Sequence, residues 1–205
     1  LLTDDGISQA TRPEVARFRT EFIAQKFGEN AHVLDLTCGL GFDSREFARS
    51  GLRVTAVEID SEIAKYASHN LNQFDVRVHC ADATDFKIPN DVDVIFVDPA
   101  RRDPNAAKDS KGNTKRIFDP YQWSPSWETI NQIAKSHPVT AKVAPGIDKA
   151  ELSNWDARWI SSDGDLVECF LSSSGTGIRS AVFIDSKNNS TIELKGDAAT
   201  ISAPL

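Results

Sequence analysis

Residues 31–43, AHVLDLTCGLGFD, limit what this chain can fold into more than any other stretch. Val33, Leu34 and Leu36 make the short apolar run of a buried strand. The run ends at Asp35, Thr37 and Cys38, and Gly39 and Gly41 set a turn before a helical pattern begins. A strand that feeds a glycine turn and then a helix gathers backbone N–H groups and a helix N-terminus at one point. In an open α/β sheet, that point is where a crevice for a nucleotide-like ligand opens.

The surrounding pattern fits such a sheet. Residues 11–27 carry Val15, Phe18, Phe22, Ile23 and Phe27 near helical spacing, with Pro13 in the first turn, so an amphipathic helix precedes the glycine turn. Residues 1–30 therefore read as an N-terminal helical segment packed on a domain that runs from 31 to 205. Strands are expected at 32–37, 53–58, 76–80, 92–97 and 139–143. Helices are expected at about 44–50, 61–72 (capped by Ser61) and 125–136. VDVIFV, at 92–97, is the most apolar run and has the character of a central strand buried on both faces. Beyond Pro145-Gly146 the chain turns to strands joined by Gly/Ser/Asn loops, at 158–161, 166–171, 180–184 and 191–194. Helix–strand alternation followed by strand after strand predicts an α/β fold, a parallel sheet with an antiparallel extension.

Composition narrows the class. A formal charge of −7 argues against a surface that grips nucleic acid everywhere, while leaving room for a local basic patch. Cys38, Cys80 and Cys169 are far apart and form no CxxC pair, which excludes a zinc ribbon and points to a reducing cytoplasm; no metal site is expected. No apolar run reaches the ~18 residues of a membrane span. The chain opens on Leu1 and contains no methionine, so it is expected to be a fragment of a longer protein.

Four carboxylates fall at or near strand ends: Asp35, Glu58, Asp82 and Asp98. In a parallel sheet these ends share one edge, so the four would line one crevice. Glu58 lies 17 residues beyond Gly41, near the spacing at which a second-strand carboxylate accepts from ribose hydroxyls. Asp82, in CADA, is placed to accept from an adenine amino group, and Ile59 and Ala83 flank these two acids. A dinucleotide site fits less well: CGLGFD lacks the third glycine, and hydride transfer leaves Asp98-Pro99 unexplained. Asp35 with Asp43 nearby suits a cationic ligand group better than a pyrophosphate. The competing reading is that these acids cap helices or sit in solvated turns.

DLTCGLG resembles the first motif of class I S-adenosylmethionine-dependent methyltransferases. VEIDSEI resembles their second-strand motif, CADA their adenine motif, and FVDPAR their fourth motif after the central strand. The ordered set covers residues 33–102. The resemblance implies a Rossmann-like fold: a seven-stranded, mostly parallel sheet with an antiparallel C-terminal strand and helices on both faces. It implies S-adenosylmethionine as cofactor. Asp35, Thr37, Cys38, Gly39 and Gly41 would hold its methionine end, Glu58 with Ile59 the ribose, and Asp82 with Ala83 the adenine.

Asp98-Pro99-Ala100-Arg101-Arg102 then stands where the methyl acceptor meets the sulfonium. In-line displacement depends on aiming the acceptor lone pair. Asp98 can hold an amine, Pro99 stiffens the turn, and Arg101 can hold a phosphate. Amino-directed nucleic-acid methyltransferases carry a second proline and an aromatic where this chain has Ala100 and Arg101. RNA uridine-C5 methyltransferases need a cysteine nucleophile after the fifth strand, where this chain reads KVAPG. The layout is similar to trimethylguanosine-synthase-like enzymes. It comes closest to bacterial methyltransferase-like proteins with Asp-Pro-Ala-Arg-Arg and a following THUMP-like domain.

Residues 101–116 hold six basic side chains (Arg101, Arg102, Lys108, Lys111, Lys115, Arg116) against Asp103 and Asp109, a reversal of sign in an acidic chain. Arg102, Lys115 and Arg116 would hold phosphates, and Tyr121 and Trp123 would stack on a base. The plainer alternative is a solvated loop whose aromatics anchor its end to the core. The reading is a cytoplasmic methyltransferase acting on nucleic acid, RNA in preference to DNA, with no membrane partner. Methylation of a small molecule or protein side chain, and a cofactor-binding recruitment module without turnover, remain the alternatives.

Overall fold

The computed structural model describes residues 11–101, 116–173 and 175–196. Helix α1 (Pro13–Phe27) is followed by β1 (His32–Asp35), α2 (Phe42–Arg49), β2 (Arg53–Glu58), α3 (Ser61–Asn70), β3 (Val76–Cys80) and β4 (Val94–Val97). After a short 3-10 turn (Pro120–Gln122) come α4 (Trp127–Ala134), β5 (Val139–Val143), a second 3-10 turn (Lys149–Leu152), β6 (Asp156–Ser162), β7 (Asp165–Ser172), β8 (Arg179–Asp185) and β9 (Ser190–Gly196).

The strands form one nine-stranded sheet in the order β3-β2-β1-β4-β5-β7-β6-β8-β9. The pairs from β3 across to β5 are parallel, and β7 runs antiparallel between β5 and β6. The order doubles back at β1: β2 lies on one side of it and β4 on the other. That reversal is the switch point at which α/β sheets open a crevice. The expected seven strands are exceeded by two, because β8 pairs parallel with β6 and β9 folds back antiparallel on β8.

Period-two alternation sorts the central strands between two cores. Val33, Val94 and Phe96 face the side covered by α1 and α2, where Val15, Ile23 and Phe47 pack against them. Leu34, Ile95 and Val97 face the other side, with Trp127 and Ile130 of α4 and with Trp155. Trp127 and Trp155 lie 5.3 Å apart between ring centroids. Helix α1 therefore shares the core of the sheet. It ends at Gly28, whose φ of 109° no side-chain-bearing residue adopts readily. The cap of α3 differs from expectation: Asp60, one residue before Ser61, accepts from the N–H groups of Glu62 (2.8 Å) and Ile63 (3.1 Å). A carboxylate one residue upstream reaches both orphan donors and complements the helix N-terminus by its charge.

Candidate active site

A crevice of about 590 Å³ opens at the C-terminal ends of the parallel strands, within the usual range for a small-molecule site. Its floor is the glycine turn. Gly39 has a φ of 52°, and a Cβ there would meet nothing within 4 Å, so the turn is bare where it borders the crevice. Gly41 has a φ of 84°, and a Cβ there would run into Leu71 Cδ1 at 2.8 Å. The first glycine leaves space for a ligand; the second lets α3 pack against the turn.

Glu58, at the end of β2, accepts from the N–H of Gly39 through Oε2 (2.9 Å) and of Asp60 through Oε1 (2.9 Å). Burial raises its carboxyl above the usual range, against these backbone donors. Asp82 accepts from Thr84 N–H (2.8 Å) and Thr84 Oγ1 (2.7 Å), both through Oδ1, and these bonds hold its carboxyl below the usual range. Its second oxygen has no hydrogen-bond partner among the described residues. Ile59, 60% exposed, offers an apolar surface beside Glu58, and Cys38 and Ala83 complete this end of the wall. An open glycine, a carboxylate for hydroxyls, a second with a spare oxygen and an exposed isoleucine suit S-adenosylmethionine. Glu58 and Asp82 make this end of the wall acidic, which suits the hydroxyl and amino donors of such a ligand better than a pyrophosphate.

Asp35 sits elsewhere than expected. It is fully buried beneath the turn, where it accepts from Ser44 Oγ (2.6 Å) and from Thr37 N–H (3.2 Å). Burial pushes its carboxyl up to about 7. It braces the turn from below instead of meeting the ligand's ammonium. Asp43 borders the crevice but is also engaged, by the guanidinium of Arg19. Burial of the Cys38 thiol pushes its titration upward, which removes it as a nucleophile.

At the other end of the crevice, Thr37 Oγ1 accepts the backbone N–H of Asp98 at 2.7 Å. The Asp98 carboxylate is paired through Oδ2 with the ammonium of Lys142. Pro99, Arg101 and Arg116 border the same crevice. The long excursion after Asp98 is clamped at its base by Ala100 and Ser124, which exchange N–H···O bonds of 2.8 and 3.1 Å, and by Ile117 N–H to Arg101 O at 2.8 Å. That clamp returns Arg116 to the crevice. Arg102 and Lys115 lie outside the described residues.

The two aromatics part company. Trp123 is 5% exposed and donates its indole N–H to Ile117 O at 3.1 Å. It anchors the loop in the core, which corrects the expectation that it stacks on a base. Tyr121 is exposed but donates its hydroxyl to Glu151 at 2.9 Å and does not border the crevice.

Sequence reasoning missed Lys142, Arg19, Thr11 and Glu168. Arg19 lies fully buried, donating to Glu168 at 2.6 Å and paired with Asp43. Burial alone would lower its titration, but Asp43 and Glu168 outweigh that and raise it. The available signals were positional. Arg19 falls midway between Val15 and Ile23 at four-residue spacing, on the buried face of α1, and Lys142 interrupts an apolar strand. Among the described residues no cluster of side chains could hold a metal ion, and no helix is long and apolar enough to cross a membrane.

Comparison with known proteins agrees with this geometry. Residues 33–107 match the family described as "Methyltransferase domain". The chain is 29% identical over 186 residues to an uncharacterized S-adenosylmethionine-dependent methyltransferase of Mycobacterium tuberculosis, covering 87% of this chain and 48% of that protein. It is 35% identical over 80 residues to a 23S rRNA (uracil(747)-C(5))-methyltransferase of Pyrococcus abyssi, covering 38% of this chain and 19% of that one. The chain thus spans about half the length, or less, of the curated relatives it matches. Among solved structures, a Porphyromonas gingivalis W83 protein described as a methyltransferase aligns over 98% of this chain and 52% of its own, with a TM-score of 0.67 and 18% identity. A Listeria monocytogenes protein described as a class I S-adenosylmethionine-dependent methyltransferase aligns over 98% and 67%, with a TM-score of 0.55 and 12% identity. At these identities the structural likeness speaks for the fold alone. The chain thus has the α/β Rossmann-like methyltransferase fold, its residues 33–107 match a methyltransferase domain, and S-adenosylmethionine is the cofactor that its crevice suits.

Proposed function

We propose that the protein transfers a methyl group to a nucleic-acid acceptor, RNA in preference to DNA, and does so in the cytoplasm. The observation that carries this reading is that Arg101 and Arg116 border the same crevice as Asp98. Two guanidinium groups beside the acceptor end suit phosphates, in a chain whose overall charge is −7. The partial likeness to an RNA-modifying enzyme supports the same class. Three free cysteines accord with a reducing compartment. The Asp98-Pro99-Ala100-Arg101-Arg102 run and the THUMP-like partner domain it suggests belong to the same proposal.

The bound cofactor supplies an electrophilic methyl carbon on its sulfonium. Glu58 and Asp82 would hold its ribose and adenine, and the bare turn at Gly39 its amino-acid end. Asp98 orients the acceptor: Oδ1, which has no hydrogen-bond partner among the described residues, accepts one N–H of an amine and aims the nitrogen lone pair. Carbon-C5 chemistry is disfavoured, since Lys142 and its neighbours supply no thiol after β5 and Cys169, on β7 opposite Val143, is fully buried.

The test is labelled methyl transfer by the full-length parent protein from S-adenosylmethionine to RNA, DNA, protein and small-molecule fractions of a cell extract. Label in RNA, lost in Asp98→Ala, is the expected result. Label confined to protein or small molecules overturns the nucleic-acid reading, and label retained by Asp98→Ala overturns the role of that residue.

A further inference from the structure

We propose that Lys142 is the positioning residue of the acceptor site, fixing the Asp98 carboxylate so that a single oxygen faces the incoming acceptor. This rests on the reading of Asp98 as the acceptor-orienting group, and it assigns a function to a residue that no motif marked.

The argument starts from an occupied oxygen. A carboxylate on a turn can rotate, and either oxygen can then meet a ligand. Here Oδ2 is taken by the Lys142 ammonium and the main chain is pinned by Thr37, which leaves Oδ1 for the crevice. Both side chains border that crevice, with 12% of the Lys142 side chain and 27% of the Asp98 side chain exposed. The pair therefore forms part of the wall at which an acceptor would arrive.

Lys142 is held in turn. Its ammonium donates to Thr11 Oγ1 at 3.1 Å, and Arg19 donates to the same hydroxyl at 3.3 Å. Arg19 is locked between Asp43 and Glu168. The ammonium, carried by β5, thus bonds Asp98 after β4 and Thr11 just before α1, and it also feels the charges of Asp43 on the first turn of α2 and Glu168 on β7. Burial alone would lower the Lys142 titration, but Asp98 and Asp43 raise it, so the group is a fixed cation with no role as a base. A flexible lysine held at both ends by a buried network differs from a surface ion pair, where the entropy of two long side chains cancels most of the gain. A carboxylate held to within a fraction of an ångström is what an in-line displacement requires, since a misplacement near 1 Å can cost roughly a hundredfold in rate.

The experiment is a kinetic cycle on the full-length protein, read in whichever extract fraction the wild type labels. Lys142→Met is expected to lower kcat about ten- to a hundredfold, with affinity for S-adenosylhomocysteine within about twofold of wild type. Lys142→Arg, which keeps a cation within reach of Asp98, recovers part of the loss. Lys142→Met combined with Asp98→Ala is no slower than Asp98→Ala alone, because both changes remove one device. Should Lys142→Met not fold, Lys142→Gln carries the same expectation. A wild-type kcat in a folded Lys142→Met or Lys142→Gln variant overturns the proposal, and so does a double variant whose losses multiply. A loss of kcat in a protein or small-molecule fraction supports the role of Lys142 while overturning the RNA reading. A wild type that labels no fraction overturns both.

Discussion

The hydroxyl of Thr37 accepts the backbone N–H of Asp98 at 2.7 Å, joining the turn that follows β1 to the turn that follows β4. The two strands are parallel neighbours in register, with Asp35 opposite Phe96, so residues two positions beyond each come level at the sheet edge. The bond ties the floor of the crevice to the residue proposed to orient the acceptor. Thr37→Val removes the acceptor oxygen at nearly constant volume and leaves the Asp98 N–H unpaired, a change of about 1–3 kcal/mol where water cannot replace it. We expect slower turnover with a smaller change in S-adenosylhomocysteine affinity, and near-normal turnover in Thr37→Ser. Equal losses in the serine and valine variants would show that the hydroxyl does not serve this link.

The two turn glycines separate binding from stability. Both adopt positive φ, so alanine is strained at either, by about 1–2 kcal/mol. At Gly39 the added methyl meets nothing in the protein, whereas at Gly41 it strikes Leu71 at 2.8 Å. Gly39→Ala should therefore weaken S-adenosylhomocysteine binding at modest cost in melting temperature. Gly41→Ala should lower the melting temperature by the larger amount. Calorimetric titration and thermal melts on both variants check the pair; the reverse ranking would mean that the turn is oriented otherwise.

Much of this site was legible from residue types at strand ends. Glu58, Asp82 and Asp98 border the crevice because a parallel sheet gathers its C-terminal ends on one edge, and β2, β3 and β5 begin and end where the apolar pattern does. Asp35 was misread because spacing locates a carboxylate on a strand without saying whether it points up into the crevice or down onto Ser44. Trp123 was misread for the same reason, an aromatic near a basic loop being equally able to stack or to anchor. The network of Arg19, Asp43, Glu168 and Lys142 was out of reach, since it joins residues as far apart as 149 positions and no local pattern records such a pairing.

Asp35 makes stability depend on pH in a stated direction. Its carboxyl titrates near 7 in the folded protein, chiefly through burial, against roughly 3.9 in an unfolded chain. Between these values the folded state holds a proton that the unfolded state has released, so this contribution is full below about pH 4 and is lost as pH rises to about 7. Asparagine does not titrate and can keep the Thr37 N–H bond through its carbonyl oxygen. Asp35→Asn should thus gain stability relative to wild type between pH 5 and pH 8. Urea unfolding at the two pH values checks it, and a pH-independent difference between the proteins would contradict the assignment.

Arg19 carries two buried carboxylates. It is fully buried, Glu168 nearly so and Asp43 mostly so, and the guanidinium also lies 5.5 Å from the centroid of the Phe96 ring. Arg19→Met fills the space but strands both acids in a site of low polarity, at a cost of about 3–5 kcal/mol. Arg19→Met/Glu168→Gln should recover part of that, because the stranded charge is removed. Urea unfolding of the single and double variants reads the difference, and a double variant less stable than Arg19→Met would show that Glu168 is not held as an ion by Arg19.

Salt dependence tests the proposed phosphate contacts of Arg101 and Arg116 directly. A group that neutralises a phosphate of single-stranded RNA contributes about −0.7 to the slope of log affinity against log salt. Arg101 and Arg116 border the crevice beside Asp98, so replacing both by alanine should flatten the slope by about 1.4 and lower affinity at all salt concentrations. The loss should be largest at low ionic strength, where counterion release contributes most, and similar for RNAs of different sequence, since phosphate contacts carry no base information. Filter binding or fluorescence anisotropy with the full-length protein, from about 50 to 200 mM salt, gives both quantities in one series. An unchanged slope in the double variant would move the phosphate contacts away from these two arginines, and an affinity loss that varied with sequence would point to contacts with base edges.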